Sequence, residues 1–199
     1  MLILFLLSSF AVQATWDGKP IPAKNIPSEL RGFVEPQTVL ISFNATDLNG
    51  DELSDYVVVL QKQKRRPDEE DIEEGQRLLL LIIRQNSGTL KVAKRNDKIV
   101  YCSTCGGAFG DPLESIDVGP KTFTVNHYGG SSWRWSNSFK FNYSRRDSTW
   151  QLVRVQEVSF HASDPDKTMK TEIYTPPKHY GIIDIADFDP ENFRGKGTK

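Results

Sequence analysis

Apolar positions recur along this chain with a period of two, in short runs broken by Gly, Pro, Asn and Asp. Val39-Leu40-Ile41-Ser42-Phe43 and Tyr56-Val57-Val58-Val59-Leu60 are β-branched and aromatic runs of strand length. Leu78 to Ile83 is a run of six apolar residues, which predicts a buried strand over Arg77 to Gln85. Asn86-Ser87-Gly88 then signals a turn, and Thr89 to Lys94 alternates as a hairpin partner should. The same alternation marks Thr122 to His127, Phe139 to Tyr143 and Trp150 to Val155, with two shorter runs around Ile173-Tyr174 and Ile182-Ile183. Long helical patterns are absent. The expected fold is mostly β, an antiparallel β-sandwich or meandering sheet with short helical turns.

The organisation follows from the ends of this pattern. Residues 1–14, MLILFLLSSFAVQA, are uncharged and mostly apolar, too short to span a bilayer, and end in small residues at Val12 and Ala14. They predict a signal peptide, with an anchor or a buried strand as the alternative. Residues 15–38 read as an extended lead-in, with one helical turn near Pro27-Ser28-Glu29-Leu30. Residues 39–193 form a single β-rich domain, and 194–199 a polar tail. Residues 62–76, basic and then acidic, read as a solvated loop between strands, or as a docking loop. No later stretch reaches spanning length, so no transmembrane segment is expected, and the location is periplasmic or secreted.

Composition narrows the function only a little. The 199 residues carry 25 Lys and Arg against 26 Asp and Glu, a net charge of -1. That balance gives no basic face for nucleic acid. Asn44-Ala45-Thr46 and Asn142-Tyr143-Ser144 match glycosylation acceptors, relevant only to a eukaryotic secretory path.

The sharpest motif is Asp47-Leu48-Asn49-Gly50-Asp51-Glu52-Leu53-Ser54-Asp55. Oxygen side chains fall at loop positions 1, 3, 5 and 9, and calcium is a hard cation that takes six to eight oxygen ligands. Asp47, Asn49, Asp51 and Asp55 would supply side-chain oxygens and Leu53 its carbonyl. The ion would be structural, since three carboxylates so close repel one another without it. An ion-free Asx-rich hairpin turn is the alternative. The stretch resembles the D-x-[DN]-x-D-x-x-x-D loop of FG-GAP and VCBS-type repeats, which implies a calcium loop between two strands. It departs from that pattern at position 6, where Glu52 replaces the usual Gly. Val58 at position 12 is not the bidentate Glu of an EF-hand.

Two cysteines are present, Cys102 and Cys105, in a CxxC. The Gly-rich segment that follows cannot open a helix, so a local structural disulfide is expected in an oxidising compartment, with redox or metal chemistry as the alternatives. His127, Tyr128, Trp133, Arg134 and Trp135 lie in a Gly- and aromatic-rich stretch that could present a ligand surface by stacking and cation–π contact; core packing of the tryptophans is the alternative. The segments 102–112 and 127–136 resemble an exported protein family of Gram-negative bacteria with no established activity. No nucleophile elbow, HExxH or phosphate loop occurs. The expectation is therefore an exported, calcium-stabilised binding protein contacting a partner protein or an envelope glycan, for instance as an inhibitor or immunity-type protein. An envelope hydrolase using His127, or a purely structural envelope protein, stands against it.

Overall fold

The computed structural model describes residues 18–63 and 75–195. The predicted signal peptide, most of the charged 62–76 loop and the end of the polar tail lie outside the described residues. Among the described residues, nine strands form two antiparallel sheets: β1 (Thr38–Thr46), β2 (Asp55–Lys62), β3 (Arg77–Arg84) and β4 (Leu90–Asn96) in one, β5 (Leu113–Gly119), β6 (Thr122–Gly130), β7 (Trp133–Ser144), β8 (Thr149–His161) and β9 (Lys170–Tyr174) in the other. Strands are joined in sequence order within each sheet, and β5 comes to lie beside β1.

Strands β2 and β3 at the centre of the four-stranded sheet are buried on both faces, which explains their continuous apolar runs, whereas β4 is largely exposed. Val57, Val59, Leu79 and Leu81 point into the core between the sheets, with Phe123, Val125, Phe139 and Phe141 opposite. Val58, Leu60, Leu78 and Leu80 point the other way and pack against Ile26 and Leu30. The lead-in therefore forms a third layer. Pro22 and Pro27 pre-set two 3₁₀ turns, Ala23–Asn25 and Ser28–Phe33, and the Ile21 amide donates to the Leu40 carbonyl at 2.8 Å.

Phe123 and Phe141 stack at 5.1 Å, and Phe188 meets Phe139 and Phe141 edge-on. The run around Ile182-Ile183 does not form a strand: an isolated bridge, Gln151 to Asp184, ties it to β8, where Leu152 N donates to the Ile183 carbonyl at 3.0 Å and Ile185 N to the Trp150 carbonyl at 2.9 Å. Strand β5 does not show a clean period of two in the sequence, because a bulge between Leu113 and Ser115 breaks it.

The strands set two ends. The β1–β2 loop, with the Asp47–Asp55 motif, meets the β5–β6 turn, where Lys121 N donates to the Asp47 carbonyl at 2.8 Å. At the other end Gly106 to Gly110 closes on the β6 terminus through a Gly107–Gly130 bridge. Nine residues of β6 separate the two ends, roughly 26 Å at the rise of a strand.

Candidate functional site

Asp47 is held at the start of the loop by its own capping bonds. Its Oδ1 accepts from Asn49 N at 3.2 Å and Gly50 N at 2.6 Å, and its Oδ2 from Glu52 N at 3.1 Å. Asp51 accepts from Leu53 N at 2.9 Å. Asp55 opens β2 and is wholly buried, accepting from Leu48 N at 2.9 Å and Arg84 N at 2.8 Å. Its burial pushes the carboxyl up to about 6, opposed by these two bonds and reinforced by the charges of Asp51 and Asp47. Carboxylate oxygens of all three lie within 4.8 Å of one another. Each Asp55 oxygen keeps a further lone pair, so an all-oxygen donor set with uncompensated charge fits a hard divalent cation.

The other two predicted ligands are placed less centrally. Asn49 turns its amide to Asp51, with Oδ1 accepting from Asp51 N at 3.0 Å and Nδ2 donating to Asp51 Oδ2 at 2.9 Å. Leu53 follows directly in the same loop. Glu52 makes the turn at φ 69, in the left-handed region that favours Gly. Leu48, fully buried, plugs the loop into the core, and the Trp150 indole Nε1 donates to the Leu48 carbonyl at 2.8 Å. The Trp150 contact was not legible as a site feature, because it spans about a hundred residues.

At the opposite end, the predicted ligand surface divides between the two faces of β6 and β7. Tyr128 and Arg134 share the outer face: Arg134 Nη1 donates to Tyr128 Oη at 3.0 Å, and its guanidinium sits 4.4 Å from the Phe109 ring. Trp133 and Trp135 point to the inner side, in phase with Phe139 and Phe141. Trp133 is 56% exposed and meets His161 edge-on, whereas Trp135 is half-buried and packs against Tyr101. A side chain at Gly129 would have no room: its Cβ would stand 2.5 Å from the Trp135 ring and 3.0 Å from Gly106 Cα.

His127 does not belong to that surface. It is fully buried, stacked on Tyr101 at 4.3 Å, and its Nε2 accepts from Tyr101 N at 3.3 Å. Burial, with the nearby Arg77 charge, holds its pKa down to about 3; the Asn137 backbone opposes this slightly, without a well-formed bond to Nδ1. A sealed, neutral imidazole has no route for trading protons with a substrate. His179 Nδ1 accepts from Thr175 N at 3.0 Å and is structural.

Cys102 and Cys105 stand at disulfide distance, with Cα atoms 5.2 Å apart, and a run of turns follows them rather than a helix. Beside them, the fully buried Arg77 guanidinium is bidentate to Asp111 and also donates to the Tyr101 carbonyl at 3.1 Å and to Gln61. This network fixes the Gly-rich loop to the sheet. No helix among the described residues is long and apolar enough to cross a membrane. No protein-family model, no curated protein and no solved structure matches this chain.

Proposed function

We propose that this chain is an exported, calcium-stabilised β-sandwich that acts by binding, contacting a partner protein or an envelope glycan through its Gly- and aromatic-rich end. The observation that carries the calcium reading is the convergence of Asp47, Asp51 and Asp55 on one point between two strands, in a loop that resembles those of FG-GAP and VCBS-type repeats. The ion would be held by these carboxylates, with Asn49 and the Leu53 carbonyl completing the shell, and would supply only charge compensation. Its distance from the aromatic end along β6 makes it a support for the fold and not a bridge to the ligand. At that end Phe109, Tyr128 and Arg134 on the outer face, and the exposed Trp133 on the inner one, are the groups available for contact. Export agrees with the disulfide-spaced cysteines. The hydrolase reading loses its base, since His127 is buried and neutral.

Calcium added to the full chain should raise its melting temperature, and Asp51→Ala should abolish that response. No change in melting over the millimolar range typical of extracellular modules would overturn the calcium reading.

A further inference from the structure

The core packed between the sheets ends at Phe139 on β7 and Val155 on β8. Both strands continue, and their inward face continues with them. Register fixes what it carries: Asn137 is opposite Glu157, and Glu157 is opposite Glu172 on the edge strand β9. Trp135 and Trp133 stand above them on β7, and Tyr101 lies across the base, with Asn137 Nδ2 donating to its hydroxyl at 3.1 Å.

Two like charges directly opposite on one sheet face repel. Tyr174 Oη donates to Glu172 at 2.7 Å, which leaves both charges in place. Among the described residues, no cation pairs with either carboxylate. Lys170 shares this face opposite Ser159 without forming an ion pair, and Lys98 is already bonded to Asp189 at 2.8 Å. A third carboxylate, Glu191, lines the adjoining cavity of about 500 Å³ with Tyr101 and the cysteine pair. Glu157 and Glu191 both raise the Tyr101 hydroxyl pKa, after burial, so their charges reach it from two different elements.

We propose that this ledge takes a basic side chain, arginine or lysine, presented by a partner protein. The Glu157–Glu172 pair supplies the charge that such a group complements, and Trp133, Trp135 and Tyr101 supply apolar contact for its stem. A neutral glycan would leave the two carboxylates uncompensated, and Trp135 has its ring packed against Gly129 and Tyr101 instead of offering an open stacking plane. This proposal gives the binding reading its ligand chemistry. It does not use the calcium loop at the far end of β6, so it survives failure of the calcium reading.

The test is a titration of the full chain with a short Gly-Arg repeat peptide, followed through the indole N–H signals of Trp133 and Trp135 by NMR. The expected result is a shift of these two signals, opposed by salt, with affinity lowered about tenfold or more in Glu157→Gln/Glu172→Gln. Removing the repulsion should leave that variant melting at or above the parent temperature. If it does not fold, Glu172→Gln alone, at an exposed position, carries the comparison. Equal affinity in a folded variant overturns the proposal. So does a neutral N-acetylglucosamine oligomer that moves the same indoles when the peptide does not.

Discussion

Lowering the pH from 7 to 5 tests the proposed calcium loop. The Asp55 carboxyl, raised by burial from 3.8 to about 6, binds its proton more tightly in the folded chain than in the unfolded one. Without an ion, the charged form costs stability above pH 6, and the cost is relieved as pH falls toward 3.8. The full relief is about 3 kcal/mol, from roughly two pH units at about 1.4 kcal/mol each. His127 acts in the opposite sense. Its folded pKa is near 3 against 6.5 unfolded, so stability is lost as pH falls below 6.5. A plain pH series sums the two. The increment produced by calcium does not, because His127 contributes equally with and without the ion. Calcium requires Asp55 deprotonated, and proton competition at a pKa near 6 weakens its affinity about tenfold between pH 7 and pH 5. At about 100 times the pH 7 dissociation constant, calcium contributes about 2.7 kcal/mol at pH 7 and about 1.4 kcal/mol at pH 5. In a chain of this size, that is a melting shift of roughly 5–11 °C shrinking to roughly 3–6 °C. Thermal melts with calcium and with chelator, at both pH values, read it directly. A calcium increment equally large at pH 5, or none at pH 7, would rule out an ion held by Asp55.

Three further outcomes are expected. Glu52→Gly should stabilise the chain by about 0.5–1 kcal/mol in urea unfolding, because Gly occupies φ 69 without the Cβ penalty while losing more chain entropy; a loss of stability would show that Glu52 holds the loop by other means. Trp133→Ala should leave the melting temperature within a degree or two, whereas Trp135→Ala, which empties the contact with Tyr101, should cost about 2–3 kcal/mol; equal losses would contradict their different burial. Arg77→Ala should cost about 3–5 kcal/mol, since it leaves Asp111 and the Tyr101 carbonyl without their buried donor; denaturant midpoints settle this, and a near-neutral variant would mean the network is dispensable.

Much of the architecture was legible because the runs were short and the period was two. Leu78 to Ile83 announced a doubly buried strand, but not which layer would cover its second face, since nothing local in residues 15–38 identifies Ile26 and Leu30 as its partners. The loop carboxylates Asp47, Asp51 and Asp55 were legible because they are close in sequence, and their oxygens need only one turn to meet. The long-range parts were hidden. Arg77 and Asp111 are 34 residues apart, and Glu157 meets Glu172 only through the β8–β9 register. The aromatic stretch misled in part. Strand alternation puts Tyr128 and Arg134 on one face and Trp133 and Trp135 on the other, and the bury-or-expose choice for His127 depends on Tyr101, which lies outside its strand.

The amino-terminal arm leaves the ribosome before anything it rests against. Its seat on the outer side of the four-stranded sheet is complete only once β3 has been made and paired. Until then, Ile26 and Leu30 have no apolar surface to cover. An arm trimmed past Leu30 would therefore uncover Val58, Leu60, Leu78 and Leu80, an apolar face prone to association with other copies.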